Sequence, residues 1–324
     1  MQFRTQIPIF KSQNLIDYNS KIVSLGSCFA ENIAEKLDYF KFQNTCNLFG
    51  IIFNSVSIEK IIHKAVTQEL FTEKDIFFHN ERWHCFDVHS DLSNTNKVEL
   101  LNGLNQLLQS TKQQLQEATH IIITYGTSWV YRNLGNKNIV ANCHKVPQKE
   151  FSKGILSVEI IEKSIKNTID LIQKVNPEVN IIFTVSPVRH LKDGFVENQQ
   201  SKAHLITAIH QILNPKSEIL NYFPSYEIMM DELRDYRFYA DDMLHPSKLA
   251  IDYIWERFSQ TTISEESHSI MEDVETIQKG LAHRPFNPNS ESHKKFLDNL
   301  KQKINTLALK FPHIKFYACP FSYL

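Results

Sequence analysis

The sequence is poor in glycine, with 8 glycines among 324 residues. Nucleotide phosphates are commonly held by glycine-rich turns, and neither the GxGxxG nor the GxxxxGK[ST] pattern occurs in the chain. We therefore expect no nucleotide cofactor, and we expect the protein to work without a metal ion or an organic cofactor.

The chain also lacks an excess of charge of either sign, since 35 Lys and Arg side chains balance 36 Asp and Glu side chains. Net charge therefore gives no reason to expect a nucleic acid or an anionic membrane as partner. No apolar run approaches the roughly 18 residues that suggest a membrane span. The start, MQFRTQIPIFKSQN, has no apolar core of a signal peptide. These absences predict a cytoplasmic protein with neither a nucleic-acid nor a membrane partner.

Cysteine is scarce as well. The cysteines are odd in number and scattered without a CxxC pair, at Cys28, Cys46, Cys85, Cys143 and Cys319. In a chain without an export signal, this spacing is typical of reduced thiols and not of a disulfide framework.

Short apolar runs that alternate with helical periodicity are abundant. Strand-like runs lie at 21–26, 120–126 and 180–185, with a fourth inside 221–230. Helical spacing of apolar residues follows the first run and recurs near 57–70, 97–117, 155–175, 199–213 and 293–310. A further core helix is expected to start at Pro246, with the proline in its first turn. This alternation predicts an α/β fold, a three-layer α/β/α sandwich with a mainly parallel, flavodoxin-like sheet.

Two stretches do not follow this alternation of strands and helices. Residues 40–118 contain an extended aromatic piece and a polar helix, and we interpret them as an insertion between the first two strands. After residue 262 the composition becomes polar, with a Pro/Asn-rich break at 283–292. We therefore predict one α/β domain at 1–262 and a helical C-terminal extension at 263–324.

Polar residues follow the predicted strands. In parallel α/β sheets, ligands bind at the carboxyl ends of the strands. The runs expected at that edge are Gly26-Ser27-Cys28, Gly126-Thr127-Ser128-Trp129, Ser186-Pro187-Val188-Arg189-His190 and, before the last core helix, Asp241-Asp242-Met243-Leu244-His245-Pro246. We expect the functional site there.

Ser27 and His245 suit nucleophilic catalysis. A serine hydroxyl needs a base to remove its proton, and the base needs a partner that fixes its tautomer. Asp242, three residues before His245 on a turn, can be that partner. Ser27 stands where a helix begins, so backbone N–H groups can face a developing oxyanion. The pattern favours acyl transfer to water. The plain alternatives are that Ser27 caps a helix and that His245 is an ordinary helix-start residue.

Cysteine and histidine offer two further alternatives. A thiol at a helix N-terminus has a lowered pKa, which makes Cys28 a rival nucleophile, although its side chain is expected to pack between helix and sheet. His79, His84 and His89 recur at five-residue spacing. On a strand these three histidines do not converge, so we expect no metal site.

Several runs resemble the bacterial GSCFA-domain family, which belongs to the SGNH (GDSL-like) hydrolase superfamily. The signature run is Gly26-Ser27-Cys28-Phe29-Ala30. Further similar runs are NLFGIIFNS (47–55), THIIITYGTSWVYR (119–132), VANCHKVP (140–147), TVSPVRHLKDGF (184–195) and YFPSYEIMMDELRDYRFYADDMLHPS (222–247). The resemblance covers most of residues 1–260. It implies the SGNH fold with Ser27 as nucleophile, His245 as general base and then general acid, and Asp242 as the residue that orients His245.

The oxyanion site departs from the superfamily pattern. Gly50 most resembles the glycine whose N–H binds the oxyanion. Where the third motif normally has an asparagine, this chain has Ser128. The resemblance therefore implies that Ser128, or else Asn54 or Asn142, supplies the missing donor.

Two functional hypotheses follow. In the first, the protein is an SGNH-type serine hydrolase that cleaves a carboxylic ester, such as an O-acetyl group on a glycan or a small metabolite, with His89 and Trp129 lining the substrate cleft. In the second, the same fold binds an acylated ligand or transfers the acyl group to an acceptor other than water. The expected partner is a small-molecule or glycan ester, and the sequence does not indicate an oligomeric state.

Overall fold

A computed structural model describes residues 5–214 and 217–316. The strands of the described residues are β1 (Lys21–Gly26), β2 (Gln43–Cys46), β3 (Ile76–His79), β4 (Arg82–Cys85), β5 (His120–Tyr125), β6 (Trp129–Asn133), β7 (Ile139–Val140), β8 (Phe151–Ile155), β9 (Asn180–Val185) and β10 (Leu220–Phe223). The helices are α1 (Cys28–Tyr39), α2 (Ser55–Thr67), α3 (Lys97–Glu117), α4 (Val158–Val175), α5 (Phe195–Ile212), α6 (Ser225–Glu227), α7 (Lys248–Thr262), α8 (Glu265–Ala282) and α9 (Glu291–Lys310).

The central sheet has five parallel strands in the order β10-β9-β5-β1-β2. Its middle strand, β5, is buried along its whole length. A parallel strand covered on both faces needs apolar residues on both, which explains the unbroken run at this position. Because the strands run parallel, their carboxyl ends meet at one edge of the sheet.

Helices cover both faces of this sheet. α2, α3, α4 and α5 pack on the face that carries Ile121 and Ile123, whereas α1, α7, α8 and α9 pack on the face that carries Ile122. Neighbouring β5 side chains therefore enter opposite cores, as the two-residue period of a strand requires. The predicted three-layer α/β/α class is confirmed.

α4 shows how the helical layer arises from the sequence. Its buried residues Ile161, Ile165, Ile169 and Ile172 recur every three or four positions and form one apolar face. The Ser157 hydroxyl caps its first turn by accepting from the backbone, which satisfies a donor that the helix itself leaves unpaired.

Several short strands were not predicted. β2 lies inside the stretch 40–118 yet forms an edge of the central sheet, and β6, β7 and β8 form a separate antiparallel sheet. β2 carries the sequence QNTC and has no apolar run, so its side-chain pattern does not reveal it. Pro246, expected in the first turn of α7, instead precedes the N-cap residue Ser247.

The C-terminal helices share a core with the sheet. Met271 and Val274 of α8, together with Leu300 and Leu307 of α9, are buried in the same cluster as residues of α1 and α7. The described part of the C-terminal extension therefore completes one helical layer. The domain boundary after residue 262 stays a prediction.

Two further observations concern the helices and the cysteines. Within the described residues, no helix combines the length and apolar character that crossing a bilayer requires. Cys28, Cys46, Cys85 and Cys143 are free thiols, and Cys319 lies outside the described residues. Burial raises the pKa of Cys85 to about 12, so this thiol stays protonated at neutral pH.

Candidate active site

β1 ends in a glycine that the backbone geometry requires. Gly26 has φ of +129°, and a Cβ at this position would lie 2.1 Å from the carbonyl oxygen of Thr124. Glycine tolerates both the positive φ and the close approach. The chain can therefore turn sharply out of the sheet and place Ser27 beside the end of β5.

Ser27 is the N-cap residue of α1. Its Oγ accepts a hydrogen bond from the Phe29 N–H at 3.3 Å, and its own N–H donates to Thr124 O at 3.0 Å. The residue is fully buried. A capping hydroxyl acts as an acceptor, so its proton remains available to a base. The cap and the catalytic role are therefore compatible.

The segment after β2 closes over the end of β1. Asn47 Oδ1 accepts from the Gly26 N–H at 2.8 Å, and the Gly50 N–H donates to Asn47 O at 2.6 Å. Gly50 has φ of +73°, and a Cβ there would lie 2.2 Å from the Cβ of His89. The N–H groups of Ser27 and Gly50 are thus both engaged with backbone carbonyls in this structure.

Residues Ile52 and Phe53 bridge the ends of β1 and β5. The Ile52 N–H donates to Gly26 O at 3.0 Å, and Phe53 O accepts from the Gly126 N–H at 2.8 Å. A Cβ on Gly126 would lie 2.9 Å from Phe53 Cδ1 and 3.3 Å from Ser27 Cβ. The Gly126 loop therefore packs directly against the serine.

Asn54 follows this bridge and caps α2. Its Oδ1 accepts from the Ser57 N–H at 2.8 Å, and the residue is buried. Within the described residues, Nδ2 of this amide has no hydrogen-bond partner. Asn54 thus brings an unpaired donor to the sheet edge that carries Ser27.

Ser128 and Trp129 lie near the edge but are engaged by other elements. The Ser128 hydroxyl donates to Ser201 O at 3.1 Å, and its N–H donates to Ser201 Oγ at 2.8 Å. Trp129 Nε1 donates to Glu197 O at 3.1 Å, while the Lys153 ammonium lies 4.9 Å from the tryptophan ring centroid. Both side chains attach the loop after β5 to its surroundings.

His89 and Asn142 are separated in the structure. His89 lies against the Gly50 turn, and its Nδ1 is 3.1 Å from Asp91 Oδ2. Asn142 belongs to a different loop, where its Oδ1 accepts from the His144 N–H at 2.8 Å. Of the two, His89 is the one that contacts a residue of the predicted oxyanion site.

His84, one of the histidines considered above as metal ligands, and His144, whose ring centroid lies 4.9 Å from that of His84, have other partners. His84 Nδ1 contacts Ser93 Oγ at 2.6 Å, and its Nε2 contacts His79 O at 2.9 Å. His144 Nε2 contacts Cys85 O at 2.7 Å, and burial lowers the pKa of His144 to about 4. In the part of the chain that the structure describes, no three His, Cys, Asp or Glu side chains are arranged to hold a metal ion.

Asp242 and His245 form a hydrogen-bonded pair. Asp242 Oδ2 lies 2.6 Å from His245 Nδ1, and Asp242 Oδ1 accepts from the N–H groups of Leu244 at 2.9 Å and His245 at 3.0 Å. The backbone hydrogen bonds, followed by the imidazole, lower the pKa of Asp242 to about 2. An ionised carboxylate on Nδ1 leaves Nε2 of the imidazole as the basic atom.

The turn that carries His245 is attached to the loop after β9. The Arg189 N–H donates to Leu244 O at 3.1 Å. The next residue, His190, has its ring centroid 5.4 Å from that of Phe53, whose carbonyl oxygen accepts from the N–H of Gly126 in the loop beside Ser27. Contacts therefore run continuously from the serine turn to the turn that carries His245.

Ser27 and His245 are not directly hydrogen-bonded. Among the described residues, the Ser27 hydroxyl has the Phe29 N–H as its partner, not the imidazole. His245 is about half exposed on its turn. Catalytic hydrogen bonds are often long without substrate and tighten when it binds.

His190 is a site residue that the sequence patterns did not single out. Its Nε2 is buried and has no hydrogen-bond partner among the described residues. Burial, reinforced by the positive charges of Lys202 and His245, lowers the pKa of His190 to about 3. The site therefore contains a neutral imidazole with an unpaired nitrogen. The available sequence signal was its position in the run that follows the third predicted strand.

Lys202 is a second residue that sequence reasoning missed. It lies on the buried face of α5 between Asn198 and Leu205, and its Nζ reaches the backbone at the ends of β5 and β9. Its helical spacing from Leu205 predicts a buried position. Nothing in the sequence pattern predicts where a buried ammonium group would find its acceptors.

Cys28 is a poor candidate nucleophile in this environment. Burial raises the pKa of its thiol, and the Lys202 charge and the N–H groups of the first helical turn offset part of that rise. A thiol with a raised pKa is mostly protonated at neutral pH and reacts slowly. The raised pKa of its thiol therefore argues against Cys28 as the nucleophile.

Comparisons with known proteins identify a family. Residues 21–258 match the model of the GSCFA family, and residues 274–318 match that of the GSCFA domain protein C-terminal domain. No match is found among curated proteins.

Two solved structures show distant similarity. One is a carbohydrate esterase family 3 from Talaromyces cellulolyticus, with 8% identity and a TM-score of 0.37, covering 78% of this chain and 99% of that one. The other is an acetyl esterase mutant with an acetate ion, with 9% identity and a TM-score of 0.36, covering 79% and 99%. At these values, neither structure indicates an activity for this chain.

Proposed function

The chain belongs to the GSCFA family, and we propose that it is a serine hydrolase of the SGNH type that cleaves a carboxylic ester. In this proposal Ser27 is the nucleophile, His245 is general base and then general acid, and Asp242 orients the imidazole. The observation that supports it most directly is the Asp242–His245 hydrogen bond on a turn attached to the sheet edge of Ser27.

The proposed reaction has two halves, acylation and deacylation. Ser27 Oγ bonds to the ester carbonyl carbon while its proton passes to His245 Nε2. The tetrahedral intermediate then breaks its bond to the alcohol oxygen, and His245 returns the proton to the departing alcohol. Water attacks the acyl-serine by the same route, which releases the carboxylic acid and restores the hydroxyl. Asp242 remains ionised throughout, since its pKa is about 2.

Asn54 is the oxyanion donor that we propose in place of the missing asparagine. The Ser57 N–H holds its Oδ1, which fixes the orientation of the amide and leaves Nδ2 free to donate. The N–H groups of Ser27 and Gly50 bind backbone carbonyls, and the Ser128 hydroxyl binds α5. These three donors would have to exchange partners before they could bind an oxyanion.

The ester substrate is proposed from the superfamily resemblance. Its acyl part would be a short group such as acetyl, and its alcohol part would be a glycan or a small metabolite.

Fluorophosphonate labelling tests the nucleophile. We expect one adduct on the peptide that contains Ser27 and no adduct in Ser27→Ala. Cys28→Ala is the matched control, because it changes the adjacent side chain and should still be labelled. Aryl acetates should be hydrolysed faster than aryl esters of longer acids. An unlabelled Ser27, together with no turnover of aryl acetates, would overturn the proposal.

Acyl transfer or acyl binding is the second candidate function. The full burial of Ser27 favours it, because a buried acyl-serine is shielded from water and would persist until an acceptor hydroxyl arrived. Adding sugar alcohols to an aryl acetate reaction separates the possibilities. A hydrolase yields free acetate, a transferase yields the acetylated sugar, and a binding protein holds the ester without turnover.

A further inference from the structure

Lys202 is fully buried at the carboxyl edge of the sheet. Its Nζ donates to Gly126 O at 2.6 Å and to Ser186 O at 2.7 Å. These carbonyls belong to the residues that directly follow β5 and β9. One ammonium group therefore ties together the loops after two neighbouring central strands, and the first of these loops packs against Ser27.

The Lys202 charge has no carboxylate partner among the described residues, where its hydrogen bonds go to the two backbone carbonyls. Lys64, which is also buried, forms an ion pair with Glu69 at 2.8 Å. Burying an unpaired charge is costly, and burial lowers the pKa of Lys202 to about 7. Strongly perturbed groups of this kind cluster at functional sites.

The ionisable groups that face Lys202 come from three different segments of the chain. They are Cys28 on α1, His190 in the loop after β9, and Tyr226, whose ring centroid is 5.5 Å from Nζ. Burial raises the pKa of Cys28, the Lys202 charge acts against that rise, and Glu31 adds to it. The ammonium therefore stabilises negative charge at the residue next to the proposed nucleophile.

We propose that Lys202 is a positioning residue of the serine site, which holds the Gly126 loop against Ser27 and stabilises the oxyanion electrostatically. It takes over part of the role of the asparagine that the third motif lacks. The inference rests on the proposed hydrolase activity. A charge that is already held in place near a developing oxyanion costs no reorganisation during the reaction, so a buried ammonium is well suited to this task.

The contribution of Lys202 depends on pH in two opposite ways. Below about pH 7 the ammonium is charged and supports the oxyanion, and above that value the support is lost. The contribution of Lys202 to folding stability changes with pH in the opposite direction. The ordinary pKa of a lysine is 10.5. Between about pH 7 and pH 10.5 the unfolded chain therefore binds more protons than the folded one, and the contribution of Lys202 to stability rises with pH.

Two substitutions at Lys202 separate its charge from its hydrogen bonds. Lys202→Met removes both, whereas Lys202→Gln removes the charge and keeps an N–H donor in case the methionine variant does not fold. Lys64→Met is the matched control, since it removes a buried lysine that lies outside the site. The melting temperatures of the parent protein and of Lys202→Met are compared from pH 7 to pH 10. As the pH rises, the melting temperature of the parent should increase relative to that of the variant.

The first readout is independent of catalysis. In a Ser27→Ala background, the alkylation rate of Cys28 by N-ethylmaleimide is followed near pH 6 by peptide mass spectrometry. We expect both Lys202 variants to react at least roughly threefold more slowly, because a nearby positive charge favours the thiolate. Lys64→Met should react at the parent rate. Unchanged Cys28 rates in both Lys202 variants would overturn the inference, whether or not the protein is a hydrolase.

The second readout is hydrolysis of an aryl acetate. With Ser27 intact, Lys202→Met and Lys202→Gln should lower kcat roughly tenfold or more at an almost unchanged KM, and Lys64→Met should retain activity. A parent-like kcat in both Lys202 variants would overturn the positioning role. If the alkylation of Cys28 slows as expected but fluorophosphonate never labels Ser27, the proposed hydrolase activity is wrong. The proposed oxyanion role of Lys202 is then wrong as well.

Discussion

Asp242 Oδ2 lies 2.6 Å from His245 Nδ1, while the backbone N–H groups of the same turn hold the other carboxylate oxygen. The turn itself is possible because Met243 adopts φ of +59°. The backbone hydrogen bonds within this turn thus favour the ionised carboxylate, and the carboxylate in turn orients the imidazole. Both effects come from residues of the same turn. In the proposed mechanism this pair is the base that takes the proton of Ser27.

Asp242→Asn should lower kcat roughly 10³- to 10⁴-fold, because an amide that donates to Nδ1 favours the wrong imidazole tautomer. Near neutral pH the variant should fold with only a small loss of stability, since the pair is exposed and solvent screens its charge. Ester hydrolysis and thermal melting measure the two effects. Asp241→Asn is the control, because this exposed neighbour lacks the three-residue spacing. Equal losses in both variants would contradict the assignment.

The same pair should contribute to acid sensitivity. Folding lowers the pKa of Asp242 from 3.8 to about 2. Its stabilising contribution is therefore present above the unfolded-state pKa and is lost as the pH falls through about 2. Melting curves should show the parent protein losing stability relative to Asp242→Asn over that range. A constant difference would mean that the carboxylate is not held by the turn.

Asn54→Ser separates the capping role of Asn54 from its donor role. Serine keeps an oxygen that can cap α2 but lacks the amide Nδ2, so kcat should fall roughly 10²- to 10³-fold with little change in melting temperature. Asn54→Ala loses both groups and should also cost about 1 kcal/mol of stability. A serine variant with parent-like kcat would exclude Asn54 as the oxyanion donor.

His190→Phe should lower kcat/KM roughly tenfold or more, because His190 Nε2 is a buried hydrogen-bonding atom of the site that has no partner among the described residues. The pH dependence of the rate between about pH 5 and pH 8 should keep its shape, since the pKa of His190 is about 3. Folding lowers this pKa, so the parent protein should lose stability relative to His190→Phe as the pH falls from 6.5 towards 3. His190→Gln, which keeps hydrogen-bonding capacity, should retain more activity. Equal activity of the two variants would argue against a substrate contact.

Gly26→Ala should destabilise the protein by more than about 2 kcal/mol, because it adds a Cβ at a positive φ against Thr124 O. Gly103→Ala is the matched control. No atom lies within 4 Å of a Cβ at that position in α3, so the helix should gain about 0.5–1 kcal/mol. Urea unfolding measures both. A tolerated alanine at Gly26 would show that the serine turn does not need this backbone conformation.

Much of the fold could be predicted from side-chain patterns. β1 and β9 occupy the predicted positions, and β5 ends one residue earlier, because buried parallel strands need continuous apolar runs with abrupt ends. β2 was missed because an edge strand with the sequence QNTC has no such run. Its place in the sheet is set by pairing with β1, which is a tertiary interaction.

The sequence by itself determined the parts of the site that depend on short-range backbone geometry. The Asp242–His245 spacing and the Ser27 cap each involve residues a few positions apart, so one turn suffices to form them. Only the tertiary structure decided which distant groups meet at the serine. Lys202 and His190 reach the site because parallel strands bring their carboxyl ends to one edge. At that edge, backbone carbonyls that are far from Lys202 in the chain bind its ammonium group.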